Sequence, residues 1–149
     1  MTPHICIQAE DFDINDEMAA LKHGRDDVGA VATFTGYVRG DGGLTALTLE
    51  QYPGMTGREI LRHVEEAQKR WPLWGVTIIH RVGRLVPGER IVFVGVASSH
   101  RGAAFAACEF LMDYLKVHAP FWKQEERGGQ TSWVEAKSSD DASADRWRK

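Results

Sequence analysis

The order in which strand-like and helix-like segments follow one another along these 149 residues is the strongest constraint on the fold. Ile5, Ile7 and Ala9 alternate as a short strand would, and Asp13 to Lys22 places Ile14, Met18 and Leu21 on one face of a short helix. Val28 to Arg39 is rich in β-branched and aromatic residues and reads as a long strand. Gly40-Asp41-Gly42-Gly43 is turn chemistry, after which Leu44 to Tyr52 alternates as a returning strand. Pro53-Gly54 breaks that strand. Thr56 and Glu59 form a T-x-x-E capping box, so a helix is expected from there, with Ile60, Leu61, Val64 and Ala67 at helical spacing. Trp71-Pro72 should end it.

Val76 to Val82 and Arg90 to Ser98 read as two further strands joined across Pro87-Gly88. Ser98-Ser99 can cap a long helix from about His100 to Val117, stopped before Pro120. Phe121 to Glu126 and Thr131 to Ala136 flank Gly128-Gly129 and resemble a hairpin. This order predicts an α+β fold: a largely antiparallel sheet with packed helices, plus a small β-hairpin subdomain. Neither repeat nor linker divides the chain. A single domain over residues 1–137 is expected, followed by a polar, loose tail over 138–149.

Composition excludes some partners. A net charge of −3 and a pI near 6.1 lack the basic footprint that nucleic acid or an acidic membrane would require, although a local basic pocket remains open. Met1-Thr2-Pro3-His4-Ile5-Cys6 has no basic start and apolar run of a secretory signal, and no apolar stretch is long enough to span a bilayer. Cys6 and Cys108 form no C-x-x-C and no disulfide framework, which fits a reducing cytoplasm.

Four segments carry cations in suggestive places. Gly36-Tyr37-Val38-Arg39 ends a strand in a guanidinium beside a glycine-rich turn, and that planar fork suits a phosphate. Ser98-Ser99-His100-Arg101 lies at a strand-to-helix junction, where free N–H groups and the positive dipole end favour an anion. Arg101 stands where Asp or Glu would be more stable, which sharpens the case for a bound anion. Lys116 ends the long helix, and Lys123 follows in Pro120-Phe121-Trp122-Lys123-Gln124-Glu125. Burial and neighbouring cations lower a lysine pKa and make it a useful base or nucleophile. Each segment also has a plain alternative: a solvated strand-end arginine, a serine cap, a lysine that suits a helix C-terminus.

Other candidates fall away. The six histidines show no H-x-H, H-E-x-x-H or Cys/His pattern, so no metal site is expected. Gly40 to Gly43 leads into a strand and is no dinucleotide loop, while Cys108 and Trp71, Trp74, Trp122 and Trp133 read as packing residues.

Taken together, the motifs resemble the large-subunit family of molybdopterin synthase. The likeness rests on Phe34-Thr35-Gly36-Tyr37-Val38-Arg39, Leu49-Glu50-Gln51-Tyr52-Pro53-Gly54-Met55, His80-Arg81-Val82-Gly83 and Val86-Pro87-Gly88-Glu89. It continues in Ser99-His100-Arg101, Met112-Asp113-Tyr114-Leu115-Lys116 and Ala119-Pro120-Phe121-Trp122-Lys123, so it runs from about Val28 to Glu135. The resemblance implies an α/β-hammerhead-like fold and a cytoplasmic sulfurtransferase without a cofactor. That enzyme converts cyclic pyranopterin monophosphate to molybdopterin, adding two sulfurs as a dithiolene. The donor it implies is the C-terminal Gly-Gly thiocarboxylate of a small ubiquitin-like partner, bound to a homodimer core in a heterotetramer. This chain offers no sulfur source of its own: it has no C-x-x-C and ends Arg146-Trp147-Arg148-Lys149, not Gly-Gly.

By the same resemblance, Tyr37, Val38, Arg39, His100 and Arg101 match substrate-binding positions. Lys116, Lys123, Gln124 and Glu125 match the pocket entered by the partner's tail. Arg39, His100 and Arg101 would hold the phosphate. Lys116 would act as a base or stabilise the thiocarboxylate adduct, with Lys123 beside it favouring its neutral form. Gln51 stands where relatives show His, and Lys137 where an Arg can occur. Two rivals are an inactive scaffold that only binds the partner, and a phosphatase or nucleotide hydrolase. The latter would want paired carboxylates or a metal motif, which the sequence lacks.

Overall fold

A computed structural model describes residues 1–134 and Trp147. The elements run β1 (His4–Gln8), α1 (Ile14–Lys22), β2 (Ala30–Tyr37), β3 (Leu44–Gln51), α2 (Met55–Arg70), β4 (Gly75–Arg81), β5 (Gly83–Leu85), β6 (Arg90–Ser98), α3 (Arg101–Val117), β7 (Phe121–Arg127) and β8 (Gln130–Trp133). Two four-stranded sheets form, ordered β1-β4-β6-β2 and β5-β3-β7-β8. All pairings are antiparallel except β1 with β4. The α+β class and the antiparallel bias are as read from the sequence. The terminal hairpin is not separate: β7 pairs with β3 along its length, so the hairpin forms half of the second sheet.

The first sheet is covered on both faces, which explains why β4 and β6 are apolar in both registers. Val76 and Ile78, with Val92, Val94 and Val96, face α2 and α3. Ile79, Phe93 and Ala97 face α1, through Leu21 and the preceding Phe12. Gly95 lets α1 approach closely, since a Cβ there would meet Leu21 Cδ1 at 2.5 Å. α2 buries Ile60, Val64 and Ala67, and α3 buries Ala104, Ala107, Cys108, Leu111 and Leu115, each at helical spacing.

Three local readings need correction. The capping box does not form: Gly54, at φ 78°, starts α2 without a side-chain cap. Thr56 is instead fully buried, accepting from Tyr52 N–H at 2.9 Å and donating to Pro120 O at 2.7 Å. Glu59 pairs with Arg62 at 2.9 Å. Ser98-Ser99 does not cap α3 either; the cap residue is His100, with extended backbone and no side-chain hydrogen bond, while Ser98 Oγ donates to Pro72 O at 2.7 Å. β5 went unread because three residues between two turns give no measurable period. By contrast, Asp13 caps α1 through Asp16 N–H at 3.0 Å.

Ala136, Lys137 and the tail lie outside the described residues except Trp147. Its indole N–H donates to Asp113 Oδ2 at 2.6 Å, and its carbonyl accepts from Arg70 at 2.8 Å. The ring meets Trp71 and Phe110 edge-on.

Candidate functional site

The last turn of α3 presents Lys116 to solvent, a place where the helix dipole favours a cation. The chain then turns through Pro120 into β7, and the Thr56 hydroxyl fixes that turn against the start of α2. Along β7 the two-residue period puts Phe121, Lys123 and Glu125 on one face, and Trp122, Gln124 and Glu126 on the other. The first face is the inner one. Phe121 packs on the cluster of Val38, Leu49 and Leu85, and Leu49 lies directly opposite Lys123. Lys123 therefore rises, half-buried, from the face that meets the first sheet.

The segment Lys123-Gln124-Glu125 is thereby split. Gln124 sits opposite Trp133 on the outer face, and Glu125 pairs with Arg127 at 3.2 Å. Gln51 lies opposite Phe121 in the ladder.

One buried polar residue beside this face was not among the sequence candidates. His80, in β4, is only 6% exposed. Its ring stacks on Phe121, with centroids 4.0 Å apart and planes inclined by 23°. Its Nδ1 lies 3.0 Å from Arg81 O, and because a carbonyl only accepts, Nδ1 carries the hydrogen. Burial above all, and then the charges of Lys123 and Lys116, press its pKa down to about 4 against the pull of that backbone bond. The signal in the sequence was a histidine directly after Val76-Thr77-Ile78-Ile79, in a run that reads as a buried strand.

The strand end Tyr37-Val38-Arg39 borders the same cluster. Val38 is buried in it, its N–H donates to Glu89 O at 2.9 Å and its carbonyl accepts from Gly88 at 2.8 Å. Its N–H and carbonyl are both engaged within the chain, and its side chain packs in the core. Tyr37 is half exposed, and Arg39 is exposed with Asp41 3.5 Å away.

His100 and Arg101 are elsewhere. They begin α3, exposed, beside the end of β6. Gly29 braces that junction, donating to Ser98 O at 2.9 Å, and any Cβ at Gly29 would collide with the Ser99 carbonyl oxygen. Ala30 pairs with Ser98 and Tyr37 with Arg90, so Arg39 and His100 lie at opposite ends of the sheet. The eight residues of β2 lie between them, so at ~3.3 Å per residue they are at least about 26 Å apart. α3 is unbroken, and sixteen steps of ~1.5 Å put His100 and Lys116 about 24 Å apart. One chain thus has two cationic poles. Among the described residues no three His, Cys, Asp or Glu side chains gather as a metal site would need.

Fold and site together define an α+β protein of two sheets, with lysines and an arginine at one end and a histidine–arginine pair at the other. The MoaE protein family model matches residues 7–118. The molybdopterin synthase catalytic subunit of Mesorhizobium japonicum is 55% identical, covering 99% of this chain and 95% of that one. The Escherichia coli K12 protein of the same name is 52% identical over 96% and 97%. The solved MoaE protein of Burkholderia ambifaria superposes with a TM-score of 0.86 at 50% identity, over 98% of both chains. The chain belongs to the MoaE family.

Proposed function

We propose that this protein is the catalytic subunit of a molybdopterin synthase. It converts cyclic pyranopterin monophosphate to molybdopterin, taking two sulfurs from the C-terminal thiocarboxylate of a small ubiquitin-like partner. Family membership supports the reaction. The observation that supports the site is the placing of Lys123 on the inner face of β7, opposite Leu49, one short turn beyond Lys116 at the end of α3. Lys116 and Lys123 are the catalytic residues, where Lys116 serves as base or stabilises the thiocarboxylate adduct. Arg39, His100 and Arg101 hold the phosphate, with Tyr37 beside them, and Val38 supports the strand end from within the core.

Since the poles lie about 24 Å apart on one helix, each site is completed by a second copy of the chain. The assembly is then a homodimer with a partner at either end, a heterotetramer. Cys6 and Cys108 are both free thiols, in keeping with work in the cytoplasm. The deciding experiment incubates the protein with precursor and thiocarboxylated partner and follows dithiolene formation. Dithiolene should appear. Partner binding without dithiolene would favour the scaffold reading.

A further inference from the structure

His80 is buried between the ladder of β4 and the ring of Phe121, where the charges of Lys123 and Lys116 bear on it. Three constraints fix its ring. The backbone of β4 is paired on both sides, to Ile7 in β1 and to Val92 in β6. The ring lies flat on Phe121. Nδ1–H is spent on Arg81 O, so the lone pair is left on Nε2, on the far edge of the ring from that carbonyl. Phe121 and Lys123 share one face of β7, two residues apart, so the ring that covers Phe121 lies beside the path of the Lys123 side chain.

We propose that His80 is a positioning residue for the lysine pair. Its ring is locked in the Nδ1–H form and presents an uncharged Nε2 acceptor that orients an ammonium group at the base of the site. The choice of an imidazole has a physical logic. A carboxylate there would pair with the lysine and hold it protonated. A permanent cation would repel it, and an apolar ring would offer it no acceptor. The charged groups facing the ring are Lys123 from β7 and Lys116 from α3, with Arg81 next in the same strand turned to Ala9 O and Arg90 O. This burial keeps the imidazole neutral at working pH, so it stays an acceptor throughout.

This inference rests on the lysine site of the proposed function, and its test separates the two. In the unaltered protein, long-range 1H–15N spectra should show His80 protonated on Nδ1 and bare on Nε2 at neutral pH. Protonation on Nε2 would overturn the proposal without any variant being made. His80→Phe keeps the stack on Phe121 but removes the acceptor, whereas His80→Gln places an amide oxygen near the Nε2 position. With 13C-labelled lysine, the Lys116 or Lys123 side-chain signals should move in His80→Phe and return in His80→Gln. In the sulfur-transfer assay, kcat should fall about 10- to 100-fold in His80→Phe, the scale of a small misplacement at a reacting centre, with KM for the precursor within about twofold. His80→Gln should recover most of that loss. Unmoved lysine signals, or a Gln variant as poor as Phe, would overturn the positioning role. Should the unaltered protein make no dithiolene, the synthase reading falls, and the spectra alone decide on His80. If His80→Phe does not fold, the tautomer and the Gln variant still decide.

Discussion

Mixing two inactive variants tests the two-copy site most directly. His100→Ala removes one pole and Lys116→Ala the other, so each homodimer is dead at both of its sites. After random exchange at equal concentration, half of the dimers are mixed. In a mixed dimer one site carries both lesions and the other neither, so about one quarter of all sites should be intact. Sulfur transfer should therefore return to about 25% of the unaltered rate per chain, on the same two-fold argument. The alternative is a break in α3 that folds His100 back towards Lys116. That would uncover Ala107, Leu111 and Leu115, which are at most 6% exposed. A buried leucine is worth roughly 1.5–3 kcal/mol, so losing two would cost about 3–6 kcal/mol. Total stabilities are only about 5–15 kcal/mol, so the unbroken helix wins. Exchange would be followed by mass spectrometry of isotope-labelled chains. Inactivity despite complete exchange would place the whole site in one chain and refute the reasoning.

Three further outcomes are expected. Lys116→Ala should abolish sulfur transfer while costing only about 0.3–1 kcal/mol in urea unfolding, since an exposed lysine at a helix end contributes little more. Lys116→Arg should rescue poorly because Arg cannot act as a base. Arg39→Ala and Arg101→Ala should weaken binding of the precursor more than of the partner in separate calorimetric titrations; equal losses would mean that neither holds the phosphate. Stability should fall by about 2 kcal/mol between pH 7 and pH 5 on account of His80 alone, because its pKa near 4 in the fold lies below its unfolded value. The sign follows from the proton count: in that window the unfolded chain binds a proton that the folded chain refuses. His80→Gln should remove that share of the slope in urea melts at the two pH values.

Much of this was legible in the sequence, and the parts that were not share a cause. β6 was read with its bounds, and α3 within one residue, because a long uniform run carries its own period. The number of sheets was not legible, since β3 pairs β7 across some seventy residues and nothing local records the partner. The parallel pairing of β1 with β4 was hidden for the same reason. Thr56 misled because a T-x-x-E pattern describes a local choice, and the hydroxyl was taken by Pro120, sixty-four residues away. The cationic residues of the site were recognisable by type, but their division into two poles needed the direction of α3.

Thr56, His80 and Phe121 together suggest why the lysine site sits where it does. Lys116 and Lys123 belong to different elements, and a flexible joint between them would leave their relative placing undefined. The Pro120 turn is that joint, and it is held three ways: the buried Thr56 hydroxyl binds Pro120 O, Phe121 stacks on His80, and Phe121 packs with Val38, Leu49 and Leu85. A hydrogen bond worth roughly 1 kcal/mol is weak alone, but a bond, a stack and a half-buried phenylalanine together hold the turn. The apolar seam between the two sheets therefore fixes how the end of α3, with Lys116, meets the start of β7, with Lys123.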